Sequence, residues 1–178
     1  ELFSLPFLQD LHTQNALSEQ FPVLRQLVTN DLRYDARSAF TLSLNHRDTY
    51  TGITDLDRSL TTRRFAELTN ELMESGIHGE EAQVALGKEF RTPGHIPVCR
   101  ETEGGLSRRQ GHTELAVGLA RLSGMTPVVI GAEMLEEDGD NADGGMMMKR
   151  HIITGGLDGL LRIHSASNDD IVSGSFPY

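Results

Sequence analysis

Cysteine is nearly absent: Cys99 is the only one in 178 residues. That excludes a disulfide framework and a cysteine-based zinc site. No apolar run reaches the ~18 residues of a membrane span, and the opening Glu1-Leu-Phe-Ser-Leu-Pro lacks the basic and long apolar regions of a signal peptide. Positive charge is scarce too, with 16 Lys and Arg against 26 Asp and Glu and a net charge of −10. Surfaces that hold nucleic acid or anionic membrane select basic patches, so neither is expected as a partner. No H-E-x-x-H pattern occurs, which argues against a zincin-type metallohydrolase. Repeats and domain-scale linkers are also missing. A soluble, cytoplasmic protein is the expectation, and the length suits one compact domain over 1–178.

What is present reads as alternating helices and strands. Leu17, Phe21, Leu24 and Leu27 recur at near-helical spacing and predict a helix over about 16–28. Phe40, Leu42 and Leu44 alternate with Thr41, Ser43 and Asn45, the pattern of a half-buried strand. A turn-rich stretch follows. Thr54 and Asp57 then fit a loose capping box that opens a helix running to Ser75 and ending at Gly76. A strand is expected over 95–99 after Pro93-Gly94, a helix over 113–123 stopped by Gly124, and a buried strand over 126–133. Residues 135–147 are acidic and rich in glycine and methionine, the composition of a loop. Residues 160–164 suit a last short strand. The expected class is α/β (α+β), a mixed β-sheet with flanking helices in a single domain.

The most informative segment is Arg108-Arg-Gln-Gly-His-Thr-Glu, which runs directly into the apolar helical stretch Leu115-Ala-Val-Gly-Leu-Ala-Arg-Leu. Helix N-termini present unpaired N–H groups and positive dipole, and so bind anions, phosphate above all. His112 adds a metal ligand or proton carrier at that spot. The plainer alternative is that His112 or Thr113 caps the helix while the arginines are solvated. Glu133, at the end of the expected 126–133 strand, is a rigidly placed carboxylate or an ordinary loop-edge glutamate. His95 follows a Pro-Gly turn that exposes it. Thr51, Gly52, Thr54, Asp55, Asp57 and Arg58 form a segment that a turn, a cap and an ion pair would also explain.

In order and spacing these pieces resemble the 3,4-dihydroxy-2-butanone 4-phosphate synthase family of riboflavin biosynthesis. The matching segments are Phe40-Thr-Leu-Ser-Leu-Asn-His-Arg, Thr51-Gly-Ile-Thr-Asp-Leu-Asp-Arg, Phe90-Arg-Thr-Pro-Gly-His, Arg109-Gln-Gly-His-Thr-Glu and Glu133-Met-Leu-Glu-Glu-Asp-Gly. The opening Leu5-Pro-Phe-Leu-Gln-Asp looks like the short, archaeal-type branch. Residues 1–140 would correspond to the C-terminal two-thirds of the family's domain, with 141–178 a divergent tail.

The resemblance implies a lyase-type, Mg²⁺-dependent (or Mn²⁺-dependent) conversion of ribulose 5-phosphate to the four-carbon phosphate and formate. It implies that Arg109 and Thr113 hold the phosphate, Gly111 allows close backbone approach, and Gln110 and Thr51 contact substrate. His112 would bind substrate and metal, and His95 and Glu133 would handle protons. It further implies a homodimer with active sites at the interface, where residues near Thr51 and His95 reach a neighbour's site. The family's acidic loop of the Asp-Arg-Glu-x-Glu type, which supplies a metal carboxylate, does not occur in this sequence. His112 is then the one recognisable metal ligand, a poor seat for Mg²⁺ on its own. The segment carrying that loop would include sheet strands, so an exposed edge and apolar patch are expected. The alternative function is a non-catalytic phosphosugar-binding or subunit-interaction protein that keeps the anion site.

Overall fold

The structure is a computed structural model that describes residues 2–28, 32–33 and 35–132, and the backbone of three strands after them. These residues gather into two compact units, Glu1–Gly104 and Gly105–Tyr178. In the first, helices α1 (Leu8–Ala16) and α2 (Leu24–Leu27) precede strand β1 (Phe40–His46). Helices α3 (Asp55–Glu74) and α4 (Glu80–Glu89) follow, and then strand β2 (Phe90–Cys99), which pairs antiparallel with β1.

The core is the seam between this ribbon and the two longer helices. α3 presents Phe65, Leu68 and Leu72 at helical spacing. Leu68 and Leu72 are buried with Leu44 of β1, Phe90 of β2, Ala82 and Leu86 of α4, and Phe3. The rings of Phe3 and Phe90 lie 5.4 and 5.8 Å from that of Phe65. Each such ring, fully buried, contributes roughly 1.5–3 kcal/mol. Phe7 is pinned differently: the guanidinium groups of Arg37 and Arg100 stand 3.7 and 4.7 Å from its ring centre. Arg100 also donates to the Leu5 carbonyl.

α3 begins and ends as its sequence predicts. The Thr54 side chain accepts the Asp57 N–H at the start. At the end Ile77 N–H reaches the Leu72 carbonyl and Gly76 N–H that of Met73, the paired bonds of a Schellman motif.

The β1–β2 ladder is irregular, and the irregularity positions the site. Leu44 faces Ile96, yet the next residue, Asn45, faces Arg91. Thr92, Pro93, Gly94 and His95 therefore have no opposite number and bulge from β2. The polar side chains of β1 replace the missing ladder bonds. Thr41 Oγ1 donates to the Val98 carbonyl, Ser43 Oγ accepts the Gly94 N–H, and Asn45 Oδ1 accepts the His95 N–H. That is why Thr41 and Asn45, expected on the wet face of a half-buried strand, are both 3% exposed while Phe40 is 49% exposed.

In the second unit a 3-10 turn (Gly105–Ser107) leads to α5 (His112–Leu122), which closes at Ser123 and Gly124 much as predicted. Strands β3 (Arg150–Gly155), β4 (Leu160–Ala166) and β5 (Ile171–Pro177) form an antiparallel sheet with β4 central. β4 was expected from the sequence; α1, α4, β3 and β5 were not. The α/β (α+β) class is borne out, and every ladder described is antiparallel.

Two expectations are corrected. The single helix expected over 16–28 does not form: α1 lies almost wholly before that span, and within it only Leu24–Leu27 is helical, after Pro22, which lacks an N–H and cannot continue a helix. α1 has ended by Leu17, and α2 starts only at Leu24, so Leu17 and Leu27 are 80% and 70% exposed. The described part of 126–133, residues 126–132, is neither strand nor buried. Val128 N–H turns back to the Thr126 carbonyl instead of pairing with a neighbour. β-branched residues fit a strand only where a partner ladder receives them.

Gly94 tests the bulge. A methyl group there would run into the backbone of Leu44 and Asn45. Backbone atoms in a ladder cannot step aside cheaply, so Gly94→Ala should cost at least about 2 kcal/mol. Thermal denaturation should show a Tm several degrees lower than that of the parent chain. An unchanged Tm would mean that the bulge does not rest on β1.

Candidate active site

In the first unit the bulge lifts His95 from the sheet, and Asn45 holds it from below at two points. Asn45 Oδ1 accepts the His95 N–H at 2.9 Å, and Asn45 Nδ2 lies 3.0 Å from Nδ1 of the ring. The amide is buried and the imidazole exposed. Gly52 closes over the same amide: any side chain on it would overlap the Asn45 Nδ2, Cγ and Oδ1 atoms, and its φ of +81° is also one that side chains disfavour. Thr51 and His95, far apart in sequence, are thus joined through Gly52 and Asn45.

Asp57 ties down the Thr51 loop. Its carboxylate accepts the N–H groups of Tyr50 (3.2 Å), Thr51 (3.0 Å) and Gly52 (2.8 Å), and the Thr51 hydroxyl at 3.3 Å. The Gly52 N–H foremost, then those of Thr51 and Tyr50, hold the carboxyl below its usual pKa.

In the second unit Gly111 is the N-cap of α5, with extended backbone and no side chain to cap the first turn. The capping alternative for His112 and Thr113 is therefore corrected: both sit inside the helix, in its first turn. Arg109 Nη1 donates to Glu114 Oε2 at 2.5 Å, and the Glu114 side chain is fully buried. A methyl group on Gly111 would strike the Arg109 guanidinium and crowd that carboxylate. Gly111 thus lets the guanidinium fold back against the helix start, where it pairs with the Glu114 carboxylate. Gln110 is exposed, and His112 and Thr113 are half-buried.

The structure therefore brings the predicted residues together in two groups. Thr51 and His95 form one; Arg109, Gln110, Gly111, His112 and Thr113 form the other. Glu133 lies outside the described residues. Among the described residues no three His, Cys, Asp or Glu side chains converge as a metal site. His112, the metal ligand implied by the resemblance, does not by itself fit a hard cation that prefers oxygen ligands.

Three residues that shape these groups were missed as site residues: Asn45, Asp57 and Glu114. Asn45 stood in a polar position of an alternating strand, where solvent was the simpler partner. Asp57 was read as a cap. Glu114 closed the Arg109-Gln-Gly-His-Thr-Glu motif, but nothing in the sequence marked it as the partner of Arg109.

A family model for 3,4-dihydroxy-2-butanone 4-phosphate synthase matches residues 9–154. The synthase of Methanosarcina mazei is 44% identical over 140 residues, covering 78% of this chain and 53% of that protein. The Archaeoglobus fulgidus synthase is 42% identical over 139 residues, 78% and 55% of the two chains. That of Methanothermobacter thermautotrophicus is 36% identical over 142 residues, 80% and 57%. A solved crystal structure of a 3,4-dihydroxy-2-butanone 4-phosphate synthase in a cation-free form is 30% identical, covers 70% of this chain and 56% of that one, and superposes with a TM-score of 0.39. The chain belongs to the 3,4-dihydroxy-2-butanone 4-phosphate synthase family, with archaeal members among its relatives, as its motifs implied. It spans about half the length of the curated relatives it matches.

Asp57 gives a pH-dependent prediction. Its folded pKa is lowered, so its contribution is present above the unfolded value of about 3.9 and is lost as pH falls through the folded one. Asp57→Asn should be less stable than the parent in urea at pH 7, and the gap should narrow at pH 3. A gap of equal size at both pH values would mean that the carboxylate charge is not what holds the loop.

Proposed function

We propose that the chain takes part in converting ribulose 5-phosphate to 3,4-dihydroxy-2-butanone 4-phosphate and formate, in riboflavin biosynthesis. The observation that carries this reading is the family's pair of chemical parts in one chain: an imidazole held rigidly on a bulge, and a helix start backed by a guanidinium. Family membership favours it over a non-catalytic phosphosugar-binding or subunit-interaction role.

Arg109, Thr113 and the Gly111 backbone take the substrate phosphate, which suits an N-terminal helix turn with a cation beside it. Gln110, His112 and Thr51 contact the sugar. His95 and Glu133 handle protons in the enolisation, dehydration and loss of formate, steps that need groups working near neutrality. Mg²⁺, or Mn²⁺, is the proposed ion. When bound it would stabilise the negative charge that enolisation builds on the sugar oxygens. His112 is the one ligand proposed. A homodimer with its sites at the interface is part of the proposal, as is a cytoplasmic location. Among the described residues no helix is long and apolar enough to cross a membrane.

Formate release from ribulose 5-phosphate with Mg²⁺ tests the reading. The expected result is release that His95→Gln reduces at least about 10²-fold, the scale of a general acid–base group. Release unaffected by this change would refute the role of His95. A second measurement isolates the phosphate. Arg109 also partners a buried carboxylate, and removing one member of such a pair destabilises the fold. Arg109→Ala is therefore compared in a Glu114→Gln background. It should weaken ribulose 5-phosphate binding by about ten- to a hundredfold, equivalent to ~1.5–3 kcal/mol for a charge-assisted contact. Binding of ribulose should barely change. Equal losses for both ligands would show that Arg109 is purely structural.

A further inference from the structure

The hydrogen bonds beneath His95 decide which ring nitrogen carries the proton, and so what the ring can do. A backbone N–H only donates. The His95 N–H, 2.9 Å from one end of the Asn45 amide, therefore identifies that end as the oxygen. The other end is the NH₂, a donor, and it stands 3.0 Å from Nδ1 of the imidazole. Nδ1 must accept. A neutral imidazole has one protonated nitrogen, so its proton is on Nε2. Rotating the amide would set NH₂ against the backbone N–H, two donors face to face. The side chain is also buried and boxed in by Gly52, so it cannot swing clear.

We propose that Asn45 is a positioning residue that fixes His95 as the Nε2–H tautomer, so that the exposed ring meets the substrate as a hydrogen-bond donor to an oxygen and not as the base that removes a carbon-bound proton. This rests on the function proposed above and assigns the task of one of its residues. In enolisation the proton leaving carbon goes to the other proposed proton handler, Glu133. The electron pair it leaves moves onto the carbonyl oxygen, and Nε2–H stabilises the charge that develops there. A neutral, preoriented donor does this without first having to be charged. The loop held by Asp57 belongs to the same device, because it places Gly52 on the amide.

The test is long-range ¹H–¹⁵N NMR of the ¹⁵N-labelled 178-residue chain at neutral pH, with the His95 ring signals assigned by their loss in His95→Gln. The expected pattern is that of a ring protonated at Nε2. In Asn45→Asp the carboxylate cannot donate to Nδ1, so the ring proton should move to Nδ1. The kcat for formate release should then fall about 10²-fold with KM little changed, the scale of a lost preorganised donor. A ring protonated at Nδ1 in the parent chain overturns the proposal, whether or not the variant folds. So does an Asn45→Asp variant that keeps the Nε2–H pattern, or one that releases formate at the parent rate. If the parent chain releases no formate at all, the reading of function fails, and the NMR pattern alone decides the role of Asn45.

Discussion

One buried amide organises the first unit's candidate site. At Asn45 the β1–β2 ladder loses its register, and residues 92–95 leave the sheet without backbone partners. A bulge of that size would ordinarily be solvated and mobile, because unpaired backbone groups seek water. Here the side chains of Ser43 and Asn45 supply the bonds, and the missing Cβ of Gly94 lets the bulge lie on the strand beneath it. The cost of leaving regular pairing is thus offset locally. The result is an imidazole held as firmly as a strand residue yet exposed like a loop residue. Core packing supports this from the other side, since Leu44 and Phe90 lie in the cluster that α3 and α4 close.

The second group of residues solves the related problem of placing charge. A chain with net charge −10 repels anions at long range, so an anion site must be built locally. In the function proposed above Arg109 serves that purpose, folded back over Gly111 within one turn of helix, where it also pairs with buried Glu114. The arrangement trades stability for placement: a buried carboxylate is costly, and it holds only while its guanidinium partner is present. Gly52 and Gly111 play parallel parts in the two groups, each leaving out a side chain where a polar partner must come close.

Much of this was legible in the sequence, and the exceptions have physical causes. The α3 cap at Thr54 and its stop at Gly76 could be read because capping is local chemistry. β1, α5 and β4 were visible as hydrophobic period. The motif spacing pointed to His95, Thr51 and the 109–113 run, and the structure groups them as two clusters. The supports of those residues were not legible. Asn45 looked like a solvent-facing strand residue, because alternation says nothing about a bulge folding back over the polar face. The burial of Glu114 could not be read from its motif, because it depends on where Arg109 lies. The helix drawn across Pro22 and the strand drawn over 126–133 failed for opposite reasons. In the first, Pro22 acts locally against the periodicity; in the second, among the described residues, no ladder receives the apolar run.

The central claim is that β1 side chains immobilise the His95 bulge. Amide hydrogen exchange at Gly94 and His95 reads this directly, since the account gives both N–H groups specific acceptors, Ser43 Oγ and Asn45 Oδ1. The account predicts strong protection at both amides, comparable to that of the regular part of the β1–β2 ladder. Exchange at the rate of an unstructured chain would contradict it and return His95 to the surface as an ordinary loop histidine.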